Sequence, residues 1–348
     1  MVAGPASDRE PSTAPPGGIR VSVIIKALNE ERHIEAAIRS ALQAVAAVGG
    51  EVILADSGST DRTVPIAQSY PVTVVQLKNR AERRCGVGPQ LGFQLARGEF
   101  VYILDGDMEL DPLLLPAALA AMQADPKLGG IGGLVEEESD ANFQFRGRRR
   151  RGAEGVARAC DWLDMGGLYR TAALRQVGYF SNRNLHAYEE MELGLRLGAA
   201  GWALRRLAVR GVLHHGRTES SWALLKLRWR SRYLDGAGEL LRAALGRPYF
   251  WRAAWTQRHL MVSLVLWLGL LAGLVLWPVS HVPLLIVLGC ILALVLIRAV
   301  RTRSIADAWF GQVDWQVTAL AMVRGFLVSP RDPMQPIDYR IMDRSGVP

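Results

Sequence analysis

The sequence predicts an α/β fold, a mostly parallel sheet covered by helices, with a pair of membrane-length helices after it. Three observations predict it. Short β-branched runs alternate with helical periods over the first part of the chain, the pattern of strands joined by crossover helices. Acidic clusters follow those runs, at the strand ends where open parallel sheets hold ligands. Two apolar stretches, Leu260 to Trp277 and Val282 to Ile297, each approach the roughly 20 residues needed to cross a bilayer.

Taken in order, the first 18 residues are rich in Pro, Gly, Ala and Ser and lack an apolar h-region, so they read as a disordered tail and not a signal peptide. Val21 to Ile25 is a buried strand. Ile34, Ala37, Ile38, Ala41, Leu42, Val45 and Val48 then share one helical face, with Asn29 near the start of that segment. Val52 to Ala55 is a second strand, followed by a short helix from about Asp61. Val72 to Gln76 is a third, and Phe100 to Leu104 a fourth after another helical stretch. Gly129-Gly-Ile-Gly-Gly133 lacks the context of a phosphate loop and reads as a turn at a strand edge.

The 348 residues suffice for one large domain or two smaller ones. Mean hydropathy is +0.11, and the apolar excess sits mainly between Leu260 and Val300. The net charge of +8 is equally local: from Ala200 to Leu260 there are 12 Lys and Arg against three acids. A second basic cluster holds Arg146, Arg148, Arg149, Arg150 and Arg151. Basic residues beside an apolar span meet anionic headgroups or pyrophosphate. No zinc-finger or RNA-binding signature accompanies them, so nucleic acid is not expected as a partner. Three cysteines without metal-type spacing suit a reducing compartment.

Arg252 and Arg258 precede the apolar pair, and Arg298, Arg301 and Arg303 follow it. The excess of positive charge on cytoplasmic flanks places both ends inside and the Pro278 to Pro283 turn outside. Trp267 and Trp277 suit interface anchors. A buried core hairpin in a soluble protein is the alternative. The segment from Ile305 to Val328 mixes Trp309, Phe310, Trp315 and Leu320 with isolated charges, and reads as interfacial or re-entrant.

Chemistry resides in the acidic clusters. Asn29-Glu30 follows the first strand, Asp56-Ser-Gly-Ser-Thr-Asp61 the second and Asp105-Gly-Asp107 the fourth; Glu189-Glu190-Met-Glu192 lies further on. Carboxylates at i and i+2 with glycine between them can converge on one hard cation. Mg²⁺ and Mn²⁺ often bind through one or two carboxylates plus substrate phosphates. Glu189, Glu190 and Glu192 also suit an ordinary solvated first turn of a helix.

From about Val21 to Ser220 these ordered motifs resemble the family 2 glycosyltransferases, inverting enzymes of the GT-A fold, a Rossmann-like sheet. Val21 through Glu30 resembles that family's opening strand and Asn-Glu turn, and Asp56 to Asp61 its second nucleotide-binding element. The resemblance implies that Asp56 reads the nucleotide base and that Ala27, Asn29, Glu30 and Ser57 line the pocket, with Asp105 and Gly106 on the donor side. Gly88 to Glu99 is similar to the helix leading into the metal strand. Asp107 is then the expected metal ligand beside Asp105, and His214 or His215 stands where many members carry a metal-binding histidine.

Gly166 to Phe180 is similar to the family's acceptor-side segment, with Gly166 and Gly167 as contacts. Tyr188 to Arg196 matches its acidic pair and trailing Leu-x-x-Arg. By that match Glu190 is the catalytic base with Glu189 beside it. The family usually has aspartate here, and the added methylene leaves the choice between the two glutamates open. Processive members carry Gln/Arg-x-x-Arg-Trp near the bilayer. Here Leu225-Lys-Leu-Arg-Trp229 keeps only Arg228 and Trp229 as acceptor-side candidates, so processivity is not expected.

The resemblance thus implies a divalent metal (Mn²⁺ or Mg²⁺), a nucleotide-sugar donor with UDP favoured, and a lipid-linked acceptor. With the membrane pair, the expected setting is the inner cell membrane, the GT-A domain facing the cytoplasm, in exopolysaccharide or cell-envelope synthesis. A polyprenyl-phosphate glycosyltransferase and a non-catalytic membrane scaffold are the alternatives. The expected division is a tail at 1–18, the GT-A domain at 19–220, basic interfacial helices at 221–258, the hairpin at 259–300 and an interfacial segment at 301–348.

Overall fold

The computed structural model describes residues 18–138, 157–164, 166–216 and 219–342; residues 1–17 of the expected tail and the Arg146 to Arg151 cluster lie outside them. Four parallel strands form the half of the sheet announced by the β-branched runs: β1 (Val21–Ala27), β2 (Gly50–Asp56), β3 (Thr73–Leu77) and β4 (Phe100–Asp105), in spatial order β3-β2-β1-β4. β2 and β4 end on Asp56 and Asp105 themselves, which brings the acidic clusters to one rim.

Alternation along β1 sends Val21, Val23 and Ile25 to one face and Ile24 to the other. The first face is covered by α1 (Ile34–Ala46), α2 (Thr63–Gln68) and α4 (Leu114–Ala124), the second by α3 (Val87–Phe93), α5 (Thr171–Gln176) and α6 (Glu189–Ala199). Both faces are dry, which is why the strands read as continuous apolar runs.

Beyond β4 the sheet becomes mixed. β8 (Gly167–Arg170) runs antiparallel to β4 and to β6 (Leu128–Glu137), while β9 (Ala203–His214) runs parallel to β6. β5 (Met108–Leu110) and β7 (Arg158–Cys160) both pair with β9. The Gly129 to Gly133 run, expected as an edge turn, instead lies inside β6 between β8 and β9. Its glycines serve close approach: a Cβ on Gly133 would meet the Gly211 backbone of β9, and one on Gly130 the Tyr169 ring.

The chain then builds α7 (Ser221–Arg230), α8 (Gly236–Ala244) and α9 (Phe250–Thr256), which lead into α10 (Arg258–Val275) and α11 (Val282–Thr302). These last two, of 18 and 21 residues, are long and apolar enough to cross a membrane. They pack side by side, yet α11 buries none of its residues and α10 only Leu260, Ser263 and Gly273. Each Leu or Ile left in water forgoes about 1.5–3 kcal/mol of burial, so this surface calls for an apolar surrounding.

After the hairpin, α12 (Ile305–Leu327) turns back and docks on α8, and β10 (Tyr339–Ile341) joins the far edge of the sheet antiparallel to β3. The sequence reading anticipated neither this docking nor this strand. Gly238 makes the docking possible, because a Cβ there would fall on the Met322 carbonyl and the Phe326 amide. Beside it Asp235, fully buried, accepts from Arg324 Nε with both oxygens at 3.0 Å and from Arg232 Nε at 2.9 Å. Gly238→Val is expected to destabilise the protein by about 2–3 kcal/mol through overpacking. Thermal unfolding in detergent checks this, and an unchanged midpoint would contradict so close an α8–α12 contact.

Candidate functional site

Two loops meet at the carboxyl ends of β1 and β2. Asp56 is wholly buried; its Oδ2 accepts from the Gly58 and Ser59 amides at 2.9 Å each and from Gln76 Nε2 at 2.8 Å, and its Oδ1 from the Ser59 hydroxyl. Asn29 occupies the left-handed region with φ 58°, a conformation asparagine tolerates because its short amide bonds locally. Here its Oδ1 accepts from the Thr60 amide at 2.8 Å while its own amide donates to Ser59 Oγ at 2.8 Å. The Ser57 amide donates to the Ala27 carbonyl at 2.9 Å, and the Glu30 amide to Thr63 Oγ1 at 2.8 Å. Gly106 completes the corner: its amide donates to the Lys26 carbonyl at 2.9 Å, and a Cβ on it would sit 3.0 Å from Glu30 Cγ. Ala27, Asn29, Glu30, Asp56, Ser57 and Gly106 are thus one connected surface. Arg83, which no motif singled out, braces it by donating from Nε to the Ser57 carbonyl at 2.8 Å and from its terminal nitrogen to the Gly58 carbonyl.

At the centre of the rim stands another residue that the motifs did not single out. Lys26 Nζ lies 2.9 Å from Glu189 Oε1, 3.1 Å from Asp105 Oδ1 and 3.7 Å from Glu190 Oε1. The approach to Asp105 is electrostatic, since that oxygen is buried and has no aligned hydrogen bond. Burial works against the Lys26 ammonium, but the surrounding carboxylates outweigh it and hold its pKa well above the usual value. Burial pushes the Glu190 carboxyl well above the ordinary range; Lys26 opposes this, and Glu189 and Asp105 add to it. Burial likewise raises Asp105 against the pull of Lys26. Glu189 is almost fully buried and hydrogen-bonded to Lys26, whereas Glu190 keeps more of its side chain exposed. The available signal was a lysine inside an otherwise apolar strand, because a charge so placed needs a partner.

Asp107 faces β9. Its Oδ2 lies 3.4 Å from His214 Nε2, and His214 Nδ1 lies 2.7 Å from Glu137 Oε2. Burial opposes protonation of His214, but hydrogen bonds to Asp107 and Glu137 prevail and raise its pKa to about 9. Burial also works against the Asp107 charge, and the His214 bond overcomes it to lower that pKa. A carboxylate holding one ring nitrogen, as Glu137 holds His214 Nδ1, is how metal-ligating histidines are commonly oriented. His215 is placed differently. Its Nε2 lies 2.8 Å from Glu109 and its Nδ1 2.7 Å from Glu138, and its ring stacks on His33 at 4.8 Å. Among the described residues no three of His, Cys, Asp and Glu form a ready-made cage. The Asp107 carboxylate with the His214 imidazole beside it nevertheless fits a divalent cation that takes its remaining ligands from substrate phosphate and water.

Gly166 and Gly167 stand beside the end of β4, Gly167 opposite Ile103 and Gly166 against the Tyr102 hydroxyl. On α7 the two acceptor candidates part company. The Arg228 guanidinium lies 4.8 Å from the Tyr233 ring centre, whereas Trp229 lies 4.4 Å under Arg324.

A half-parallel, half-mixed sheet with nucleotide-type loops and an Asp-Gly-Asp step on one rim is the arrangement of the GT-A fold. Residues 22–182, just under half of the chain, match the family model described as Glycosyl transferase family 2. It is 29% identical over 203 residues to an N-acetylglucosaminyl-diphospho-decaprenol L-rhamnosyltransferase of Mycobacterium tuberculosis, covering 47% of this chain and 66% of that one. A dolichol-phosphate mannosyltransferase of Pyrococcus furiosus is 28% identical over 109 residues, 30% of each chain. The chain therefore spans just under two thirds of the first relative's length and less of the second. Among solved structures, the mannosyltransferase PcManGT from Pyrobaculum calidifontis, in complex with GDP-Man and Mn²⁺, shares the fold with a TM-score of 0.59 at 21% identity over 92% of this chain and 91% of that one.

Lys26→Met leaves three carboxylates without their shared cation. Because the site is only partly open to water, a loss of about 2 kcal/mol in stability is expected, together with loss of sugar transfer. Denaturant midpoints and turnover check both, and a variant with wild-type values in each would remove Lys26 from the site's architecture.

Proposed function

We propose that this chain transfers a sugar, with inversion, from a nucleotide-sugar to a membrane-held acceptor, a polyprenyl-linked saccharide, in exopolysaccharide or cell-envelope synthesis. The observation that carries the reading is the meeting of Glu189 and Glu190 with Asp105 around Lys26, beside Asp107 and His214, in a chain with two membrane-length helices. The name of the mycobacterial relative, which acts on a diphospho-decaprenol saccharide, supports the acceptor class. That of the Pyrococcus relative supports the second reading, direct transfer to a polyprenyl phosphate. UDP is the donor base favoured by the family resemblance. The arginine-flanked hairpin supports an inner-membrane location with the GT-A domain in the cytoplasm.

In this reading Asn29, Glu30, Asp56 and Ser57 hold the nucleotide, and Asp105 and Gly106 the donor's sugar-phosphate side. Asp107 and His214 would hold a divalent cation, Mn²⁺ or Mg²⁺, which would stabilise charge growing on the departing diphosphate. Glu190 takes the proton from the acceptor hydroxyl, for which its raised pKa is suited. Lys26 anchors Glu189 and Asp105, so that acceptor and donor sides keep a fixed separation.

Membranes containing the protein, incubated with Mn²⁺, a native lipid extract and labelled nucleotide-sugars, are expected to place label in the organic phase. Intact donors and wholly aqueous label would count against the reading. Glu190→Gln is expected to abolish transfer to a hydroxyl while nucleotide binding persists, and retained turnover would dismiss it as the base. Asp107→Asn is expected to remove activity and metal dependence together. Because Glu190 must be deprotonated and its pKa is raised, transfer should rise with pH above the ordinary carboxylate range. A pH–rate profile flat from pH 5 upward would contradict this.

A further inference from the structure

A polar cavity of about 210 Å³ opens where the hairpin meets the GT-A domain. Six side chains give it its character: Tyr188 just before α6, Arg228 of α7, Tyr233 beyond it, His259 of α10, and Asp314 and Trp315 of α12. Its position ties it to both halves of the molecule. Tyr188 is bonded to Glu189 and held at φ 67°, an unusual conformation for a bulky aromatic residue and one found at functional sites. The Tyr233 phenol is near enough to Glu189 to feel its charge, and the residue is over a third exposed. On the other side, His259 is the second residue of α10, so the cavity lies at the base of the membrane-length pair.

The lining also narrows the ligand's chemistry. Asp314 makes no hydrogen bond or ion pair among the described residues, and its carboxylate lies in the fields of Arg228 and Arg298. The Arg298 guanidinium in turn lies 3.5 Å from the Trp315 ring centre. A carboxylate in the lining repels phosphate but accepts hydroxyl donors well. Tyrosine hydroxyls and an arginine supply the complementary donors, and the aromatic faces suit the C–H side of a sugar ring. The volume is below the roughly 300–1,000 Å³ of drug-sized sites and suits a single ring.

We propose that this cavity is the subsite for the saccharide of a lipid-linked acceptor, which it presents toward Glu190 while the lipid follows the hairpin. The proposal rests on the glycosyltransferase reading above and extends the acceptor side from Arg228 to Tyr233, His259, Asp314 and Trp315, which no motif singled out. It is tested with the full chain in nanodiscs, with Mn²⁺ and the nucleotide-sugar that the membrane assay identifies. Two acceptors are compared, undecaprenyl diphosphate N-acetylglucosamine and undecaprenyl phosphate. Only the saccharide-bearing lipid is expected to take label. Asp314→Asn and Tyr233→Phe are each expected to raise its KM about tenfold, the scale of one charged or buried hydrogen bond, with the KM for nucleotide-sugar unmoved. Equal labelling of undecaprenyl phosphate, or an acceptor KM unchanged in both variants, overturns the subsite. Release of free sugar without acceptor reports on glycosyl chemistry alone. Wild-type protein that releases sugar but labels neither lipid overturns the subsite and leaves the enzyme reading standing; absence of both release and transfer overturns the two together.

Discussion

The contact of Lys26 with three carboxylates is the constraint on which the rest of the site depends. Glu189 and Glu190 arrive from the start of α6, and Asp105 from the end of β4. Without a cation between them, these groups would repel one another or take up protons. The ammonium reaches all three within 3.7 Å, and so it locks α6 to the central strands. It also sets the environments of the two glutamates apart. One is buried and bonded to the lysine; the other keeps more of its side chain exposed. That division resembles the way paired carboxylates acquire different tasks.

A second constraint lies on the nucleotide side, where Asp56 uses both carboxylate oxygens to hold its own loop and the Gln76 amide. Gln76 is on β3, and β10 pairs with β3 at that register, Arg340 opposite Gln76. β10 therefore lies against the strand that braces the nucleotide loop. The path to it runs through α12 and its buried Asp235–Arg324 pair. Strand, helix and hairpin form one continuous connection between the apolar helices and the donor-side rim.

Much of the candidate site was legible in the sequence because its residues lie in short motifs at strand ends. Asn29, Asp56, Asp105 and Asp107 could be read from their neighbours, since a buried parallel strand announces its own carboxyl end. Lys26 stood out only as a charge in an apolar strand and Glu137 not at all, because their partners lie far along the chain, 163 residues away for Lys26 with Glu189 and 77 for Glu137 with His214. The two adjacent histidines differ for the same reason. His214, the last residue of β9, meets Asp107 and Glu137, while His215 just beyond it meets Glu109, Glu138 and His33.

The sequence by itself determined the parallel half of the sheet, the acidic rim and the two membrane-length helices, all of which follow from local periodicity and composition. Only the tertiary structure decided that the Gly129 to Gly133 run is an interior strand, since its glycines answer to the Gly211 backbone and the Tyr169 ring, which sequence does not place beside them. It likewise decided that α12 folds back on α8 and that Tyr339–Ile341 closes the sheet edge. Those contacts are long-range. They depend on a Cβ missing at Gly238 and on ion pairs across dozens of residues, and neither leaves a periodic mark in the chain.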